Sequence, residues 1–523
     1  MKKINLFAIV LILVASMASC KKDFIDKASL DGTTLDNYYN TAEEVRGLTS
    51  TLYGLPWSGY ENRAMDAIGD VMAGNEYTGG SDDPPFVNFS LSATSVRIAD
   101  AWKVFYKIGG WTSEYIKALE LKKTKGGNPS FIDPAIAECN FFRGTVYFYI
   151  GRIWGAAPIV TDPGGTALGG DFNIPRYHQA DVLRFALEEL QKAEAGLPDT
   201  DVPGRLTKNS ARGMMAKLYL YNKDYENAKA MAEQVINSGQ YELMQDYAGM
   251  FTNSAMNNNK ESLFSVQHQL TGNPWGSGNQ KNPDRGPANL QTAEASMWEL
   301  YIPSMDIIKA FEESVGDKRK NGSMMTHGWS RPQWKPQNAD ADYNAFMANG
   351  YKYDTLQPVG KGGQKNSTRA NILKYVVGPG AAYGGEPVLG MNTGINTMLL
   401  RYADILLIYA EAVLGNQAST SDSKALEAFN AVRERAGLEP MDEITLNDIM
   451  RERRLEFAFE GDYWFDITRQ GYAKAKEIIE AQNRGTAEVP NYVTFPESAM
   501  FLPIPAGEIL QDPALAEPPV SYY

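Results

Sequence analysis

Apolar residues recur at helical spacing through much of the first half of the chain. Thr41 and Glu44 stand at the two positions of a capping box, which marks the start of the first predicted helix. Asp133 and Pro134 are placed as the N-cap and first residue of a later helix that ends near Trp154. The apolar residues at helical spacing predict helices over residues 41–54, 96–121, 134–154 and 179–195.

Two further segments each predict a pair of amphipathic helices joined by a tight turn. The pair over 211–239 resembles a tetratricopeptide repeat, because small and aromatic residues fall where its two helices must approach closely. A pair over 401–437 follows the same design, and the helices within 134–195 predict a degenerate third pair. One such pair cannot bury its own apolar face, so we expect the pairs to stack into a single mainly helical domain.

The stretch from 253 to 396 has a different character. Gly, Asn, Pro and aromatic residues dominate it, helical periodicity is rare, and the sequence near Ser262 predicts a short strand. The stretch from 56 to 89 is similar. Loops of this length are uncommon unless they serve a function, so we expect an irregular, loop-rich ligand face with a few short strands.

The first residues have the form of an export signal. Basic residues precede an apolar run and a group of small residues, which predicts a signal peptide over 1–19. Cys20 follows directly and resembles the cysteine of the bacterial lipobox, whose thiol receives a diacylglycerol. We expect lipidation at Cys20, then a tether over 20–40 that holds the protein to a membrane without a helical span. The alternative is ordinary secretory cleavage that leaves Cys20 as a free thiol.

Charge and composition narrow the possible partners. The formal net charge is -13 and hydrophobic residues make up 43% of the chain, so the chain can bury a large core. The basic cluster at Arg451, Arg453 and Arg454 has glutamates interleaved along one predicted helix, which is typical of a salt-bridged face. We therefore expect no nucleic-acid partner.

The motifs of common catalytic and cofactor sites are missing from the sequence. The three histidines lie far apart, and no phosphate-binding glycine loop or nucleophile elbow occurs. We therefore predict no catalytic residues, no metal site and no cofactor. Paired carboxylates in such an acidic chain leave one enzyme hypothesis open, a helical glycosidase.

The irregular segments carry residues suited to binding. Aromatic rings occur there among Asn, Gln, Asp and Arg, and a sugar offers an apolar C–H face to a ring and hydroxyls to polar groups. Packing of these rings onto the helices is the alternative for any single one. The predicted ligand-binding residues are Trp57, Asn75, Tyr77, Trp275, Trp298, Trp329 and Trp334.

Several ordered motifs give the chain a family resemblance along essentially all of its mature length. They include CKKDFID at Cys20, YIGRIWGAAPIV ending at Val160 and GRLTKNSARGMMAKLYLYNKDYENA from Gly204. Further along come RYADILLIYAEA, NAVRERAGL, RRLEFAFEGDYWFDITRQG and FLPIPAGEILQDPAL. The chain thereby resembles the SusD-like (RagB/SusD) family of nutrient-binding outer-membrane lipoproteins.

The resemblance implies a fold, a location and a partner. It implies about four tetratricopeptide-like helix pairs in one domain over 41–523, with a helical half over 41–250 and a second half over 260–523. It implies a lipid-anchored outer-membrane protein that delivers glycan to a SusC-like TonB-dependent β-barrel transporter. Some members of the family bind peptides, so a peptide ligand is the alternative to polysaccharide or oligosaccharide.

Overall fold

A computed structural model describes residues 38–78, 83–170, 172–270 and 277–523. The expectations for the signal peptide, for Cys20, for most of the tether and for Trp275 lie outside these ranges. Within them the protein is mainly helical, as predicted. No helix in the described ranges combines the length and hydropathy needed to cross a bilayer.

The longer helices form the scaffold. They are α1 (Ala42–Ser50), α2 (Val96–Thr124), α3 (Pro129–Trp154), α4 (Gln179–Gly196), α5 (Lys208–Tyr221), α6 (Tyr225–Asn237), α7 (Met305–Glu312), α8 (Tyr402–Leu414), α9 (Ser423–Arg435), α10 (Leu446–Glu456) and α11 (Tyr472–Glu480). The capping box predicted at Thr41 and Glu44 is present at the start of α1.

The scaffold helices stack in the manner predicted from the pairs. Helix α3 packs against both α2 and α4, α4 packs against α5, and α5 packs against α6. Helix α6 then packs against α8, which follows it only after a long insertion, and α8 packs against α9 and α10. The helix pairs therefore meet in space across the insertion, since each needs a neighbour to bury its apolar face.

The start of α3 differs from the prediction. The helix begins at Pro129 with Asn128 as its N-cap, whose side chain accepts a hydrogen bond from the backbone N–H of Ser130. Pro134 therefore lies inside the helix, one turn after the true start. Pro129 and Pro134 both follow a residue that can cap a helix, so the same start signal occurs twice. The prediction chose the second start, at Asp133, instead of the first.

Short elements make up the loop-rich part of the protein. The brief α-helices are Ser58–Glu61, Ala64–Asp66, Pro84–Val87, Pro163–Gly169, Gly249–Thr252, Lys281–Arg285, Arg319–Ser323, Ala341–Met347, Tyr463–Thr468 and Ala506–Gln511. The 3-10 helices are Leu55–Trp57, Ser254–Met256, Ala288–Leu290, Ala381–Tyr383, Glu497–Met500 and Pro513–Ala516, and a π-helical turn covers Ala67–Val71.

The strands pair only in twos. They are β1 (Glu76–Tyr77), β2 (Ser262–Val266), β3 (Ile302–Pro303), β4 (Met324–Met325), β5 (Ser330–Arg331), β6 (Tyr351–Lys352), β7 (Asn371–Ile372) and β8 (Thr397–Arg401). The antiparallel pairs are β1 with β3, β2 with β8, β4 with β7 and β5 with β6. Strand β2 is the one predicted near Ser262, and its pairing with β8 attaches the irregular segment to the helical scaffold.

One large hydrophobic core runs through the scaffold and a smaller one lies under the loops. The large core includes buried residues from Leu52 to Leu515, so it draws on nearly the whole described chain. The smaller core surrounds Trp334, Tyr343 and Tyr351. Because the loops have a core of their own, they form a fixed surface on the helical layer.

Candidate functional site

The structure places Trp57 in the main core and corrects its assignment as a ligand-binding residue. Its ring is fully buried and meets Phe105, Tyr149 and Phe264 edge-on, the last at 5.9 Å between ring centroids. The indole Nε1 donates to the carbonyl oxygen of Leu52 at 2.9 Å. The 3-10 turn Leu55–Trp57 directs the ring toward α2 and α3, so no face remains for a ligand.

Asn75 is also a structural residue, which corrects its predicted role at the ligand. Its side chain is fully buried, and its Nδ2 donates to Oδ1 of Asp70 at 3.1 Å. Its Oδ1 accepts from Nε of Arg454 at 3.0 Å. Both ends of the amide are therefore used to join the loop before β1 to α10.

The structure brings Trp329 and Trp334 together, but mainly as parts of the smaller core. Their ring centroids lie 5.7 Å apart, and Trp334 is only 2% exposed. The stacking role expected for Trp334 is therefore wrong, since the rings of Trp329 and Tyr351 and the backbone of Gly378 lie against it. Trp329 is half-buried, and its Nε1 donates to the carbonyl oxygen of Asn321.

Trp298 is the predicted tryptophan that the structure presents to solvent. Its side chain is 38% exposed, and the guanidinium of Arg63 lies 5.4 Å from its ring centroid. The irregular segment after Trp298 leads into β3, where Ile302 pairs with Tyr77 of β1, and Tyr77 is half-buried. We call Arg63, Tyr77 and Trp298 the loop patch.

The backbone on both sides of Trp298 fixes its position. Met297 is buried in the smaller core, and the N–H of Trp298 donates to the carbonyl oxygen of Pro283 at 2.7 Å. The next residue, Glu299, has a φ of 54°, and its carboxylate accepts from Nδ2 of Asn366 at 2.9 Å. A buried residue before the tryptophan and an anchored residue after it therefore hold the indole at the surface.

Arg63, the partner of Trp298, also has an unusual backbone, with a φ of 76°. Positive φ is uncommon for residues other than glycine, and it costs on the order of 1–3 kcal/mol unless the surroundings hold it. Arg63 and Glu299 thus place strained backbone on both sides of one exposed ring. Ten described residues other than glycine have a positive φ, and two of them, Arg63 and Glu299, adjoin this ring, so the surrounding structure must hold the backbone here.

An ion pair neutralises the cation of the loop patch. Nε and Nη2 of Arg63 donate to the two carboxylate oxygens of Asp284 at 3.1 and 3.0 Å. The side chain of Asp284 is 3% exposed and that of Arg63 is 24% exposed. Burial raises the pKa of Asp284 although Arg63 opposes the change. The bidentate pair therefore orients the guanidinium beside the indole and leaves the patch without a net charge.

A buried ionic network supports the loop patch from below. Arg285 contacts Asp66 and, at 3.0 Å, Glu76, while Lys281 contacts Asp66 at 3.1 Å. Burial opposes ionisation of Asp66, but Arg285 and Lys281 hold the pKa of its carboxyl below the usual value. Glu76 directly precedes Tyr77, so the network ties β1 to the short helix Lys281–Arg285.

Arg63 could not be predicted as a site residue, since a single arginine in an irregular stretch has no spacing partner. Its role depends on Asp284, which is 221 residues away. Together the side chains of the loop patch offer one flat apolar ring, with the guanidinium of Arg63 over one of its faces. This arrangement can stack on the apolar face of a sugar ring and donate hydrogen bonds to a hydroxyl.

Comparisons with known proteins agree on one family. The model of the SusD family matches residues 200–521. A SusD-like protein of Bacteroides ovatus is 30% identical, over 97% of this chain and 96% of that protein. A crystal structure solved with xylogluco-oligosaccharide has a TM-score of 0.79 at 28% identity and covers 92% of this chain and 99% of its own. A laminarin-binding SusD-like protein has a TM-score of 0.66 at 24% identity, covering 91% and 98% of the two chains. The chain therefore belongs to the SusD family.

Proposed function

We propose that this protein binds a polysaccharide or oligosaccharide at the loop patch and does not cleave it. The observation that carries the proposal is the exposed indole of Trp298, which the protein holds at the surface between two strained residues. A flat aromatic ring held at the surface can stack on the apolar C–H face of a sugar ring. The similar crystal structure solved with xylogluco-oligosaccharide supports a glycan ligand and suggests xyloglucan as the first probe.

The charge of the loop patch favours a neutral, hydroxyl-rich ligand over a peptide with charged ends. The guanidinium of Arg63 is committed to Asp284, so no unpaired cation of this group is left for a peptide carboxylate. The stacking surface itself is apolar and flat, which suits a pyranose ring better than an irregular side chain. The peptide hypothesis is therefore the second choice.

The proposal also includes the location of the protein in the cell and the transporter to which it passes the ligand. The leader and Cys20 support a lipid anchor in the outer membrane, since several acyl chains hold a protein at a bilayer without a span. The family resemblance supports a SusC-like TonB-dependent β-barrel as the partner that receives the glycan. Copurification of the two proteins after gentle detergent extraction is the expected result. Recovery of the lipoprotein alone, under conditions that preserve other barrel complexes, would contradict the partnership.

The test of glycan binding is native affinity electrophoresis of Trp298→Ala in gels that contain xyloglucan or other polysaccharides. Base–aromatic stacking contributes about 1–3 kcal/mol per ring, and by analogy the substitution should weaken binding roughly tenfold or more. Trp111→Ala is the matched control, because Trp111 is a partly exposed tryptophan of α2, outside the loop patch and not among the predicted ligand-binding residues. It should migrate like the wild type.

The results of these assays distinguish glycan binding at the loop patch from binding elsewhere, from hydrolysis and from peptide binding. Equal retardation of wild type and Trp298→Ala would move the binding site away from the loop patch. A reducing-end assay on the same polysaccharides distinguishes binding from hydrolysis, and steady release of reducing ends by the wild type would establish the glycosidase hypothesis instead. Retardation by no polysaccharide, together with binding in a peptide panel, would favour the peptide alternative.

A further inference from the structure

A large groove lies on the helical scaffold and shares no residue with the loop patch. Its volume is about 1090 Å³. Its floor is a stripe of α8 formed by Tyr402, Leu406 and Tyr409, which are four and three residues apart and so share one helix face. Its walls are residues of α6 and α9, and the segment 241–246 closes one end.

The dimensions of the groove fit an α-helix. Helices α6 and α9 each pack against α8, and packed helix axes lie roughly 8–10 Å apart. The two walls therefore flank the stripe of α8, where a further helix could pack against all three. Ala428 and Ala431 are the lining residues at the middle of the α9 wall, and their small side chains allow a helix backbone to approach closely.

The walls exclude an extended strand as the occupant. Floor and walls are helical, so their backbone N–H and C=O groups are bonded within each helix and offer no strand edge. Addition of a strand depends on such an edge, whereas an amphipathic helix needs only an apolar stripe and a rim of complementary charge.

The rim of the groove is acidic. Five carboxylates and two cations line it: Glu233, Glu242, Asp246, Glu427, Glu434, Lys424 and Arg435. Both cations are already paired, Arg435 with buried Glu261 and Glu456 and Lys424 with Glu233 at 3.0 Å.

Two of the rim carboxylates are available to a partner. Among the described residues Glu427 and Glu434 form no ion pair, and both are exposed. They are seven residues apart on α9, which places them about 10.5 Å apart along one wall.

The two ends set the length of the occupant. At one end the rings of Tyr241 and Tyr402 stack at 6.2 Å between centroids. At the other end the exposed pair of Lys424 with Glu233 bridges the walls, and such pairs contribute little stability, so a partner cation can replace Lys424. From Lys424 to Arg435 the α9 wall runs about 16 Å, or three helical turns.

We propose that this groove is the docking site for a basic amphipathic α-helix of a partner protein. The apolar face of that helix lies on Tyr402, Leu406 and Tyr409. Two lysines or arginines seven residues apart meet Glu427 and Glu434, because residues at this spacing share one face of both helices. The groove thereby gives the protein a second binding function, for a protein segment, on a surface separate from the loop patch.

The test uses a fluorescein-labelled synthetic peptide of about five helical turns, with leucines on one face and two lysines seven residues apart. Fluorescence anisotropy with the full mature chain should show saturable binding that weakens as salt is raised. An analogue with glutamates in place of the lysines should bind at least roughly tenfold more weakly. Glu427→Lys/Glu434→Lys should lose binding to a similar degree.

Two further variants separate the groove from the overall negative charge. Glu312→Lys/Glu313→Lys makes the same change in charge at the exposed last residue and C-cap of α7, outside the groove, and should bind the peptide nearly as wild type does. Ala431→Trp fills the middle of the groove from a half-buried position and should abolish binding while circular dichroism stays unchanged.

Several results would overturn the proposal. These are absence of peptide binding to the wild type, equal binding of the glutamate analogue, equal loss in the α7 control, or full binding by Ala431→Trp. Sedimentation velocity tests a second copy of the chain as the occupant. A wild-type dimer that Ala431→Trp dissociates would assign the groove to self-association and also overturn the proposal.

Discussion

Substitution of Asp70 by Asn should change how the stability of the protein depends on pH. The side chain is fully buried in the turn Ala67–Val71, and its carboxylate accepts hydrogen bonds from the backbone N–H groups of Phe459 and Gly461. Burial raises the pKa of Asp70 from 3.8 to about 6, although Arg285 and Asn75 oppose the change. Asp70→Asn keeps the size and one acceptor oxygen of the side chain and removes the titration; the loss of the second acceptor costs stability to the same extent at every pH.

The direction in which stability changes with pH follows from proton binding by Asp70. The folded protein binds the proton of Asp70 more tightly than the unfolded chain, so protonation favours folding. This contribution is fully present below about pH 3.8 and is lost as the pH rises through about 6. The gap of about two pKa units corresponds to about 3 kcal/mol, and most of that is already present at pH 4. The wild type should therefore gain roughly 2 kcal/mol relative to Asp70→Asn between pH 7 and pH 4.

Urea unfolding followed by tryptophan fluorescence measures this difference at a series of pH values. Other carboxylates weaken the protein in acid, and those that do not interact with Asp70 do so equally in both proteins and cancel in the comparison; Asp66 and Glu76 are the exceptions. Asp442→Asn, at an exposed position, is the control and should remain parallel to the wild type. If the free energies of unfolding of wild type and Asp70→Asn differed by the same amount at pH 7 and pH 4, the carboxyl would be ionised throughout and the reasoning would be refuted.

Three further predictions follow from the core, the loop patch and the leader. Trp57→Ala should lower the free energy of unfolding by about 3–5 kcal/mol in urea titrations and leave the glycan affinity of the folded protein unchanged. An unchanged free energy of unfolding would contradict the core position of Trp57. Arg63→Gln should weaken glycan binding and lower the free energy of unfolding in the same titrations, because the carboxylate of Asp284 loses its partner. Adding Asp284→Asn to this variant should restore stability but not glycan affinity. If Arg63→Gln lost neither property, the ion pair would have no such role. Cys20→Ala should move the exported protein from the membrane to the soluble fraction, whereas continued need for detergent would exclude lipidation.

Local signals predicted the scaffold well. The pair α5 and α6 could be found from the sequence, because its apolar stripe, its turn and its small residues all lie within about thirty positions. The capping box at Thr41 and strand β2 are equally local. The predicted start of α3 was wrong because Asn128–Pro129 and Asp133–Pro134 are the same start signal five residues apart. Only the packing of the helix decides between them.

The candidate site depended on contacts between distant residues and could be predicted only in part. Trp57 and Trp298 both lie in irregular segments, yet one is in the core and the other at the surface. The difference arises from the turn before Trp57 and from the positive φ of Glu299, and neither is encoded by a spacing pattern. Arg63 could not be found at all, since its role depends on Asp284, far along the chain.

The hydrogen bonds of Asp70 also set the order in which the protein matures. Its partner Gly461 lies 391 residues later, and the turn that contains Asp70 lies just before β1 and Tyr77. Contacts between such distant residues form slowly, because a long loop must close before they stabilise anything. The turn before β1 is therefore anchored only after almost the entire polypeptide has been synthesised, and a chain that ends before Gly461 would lack this anchor.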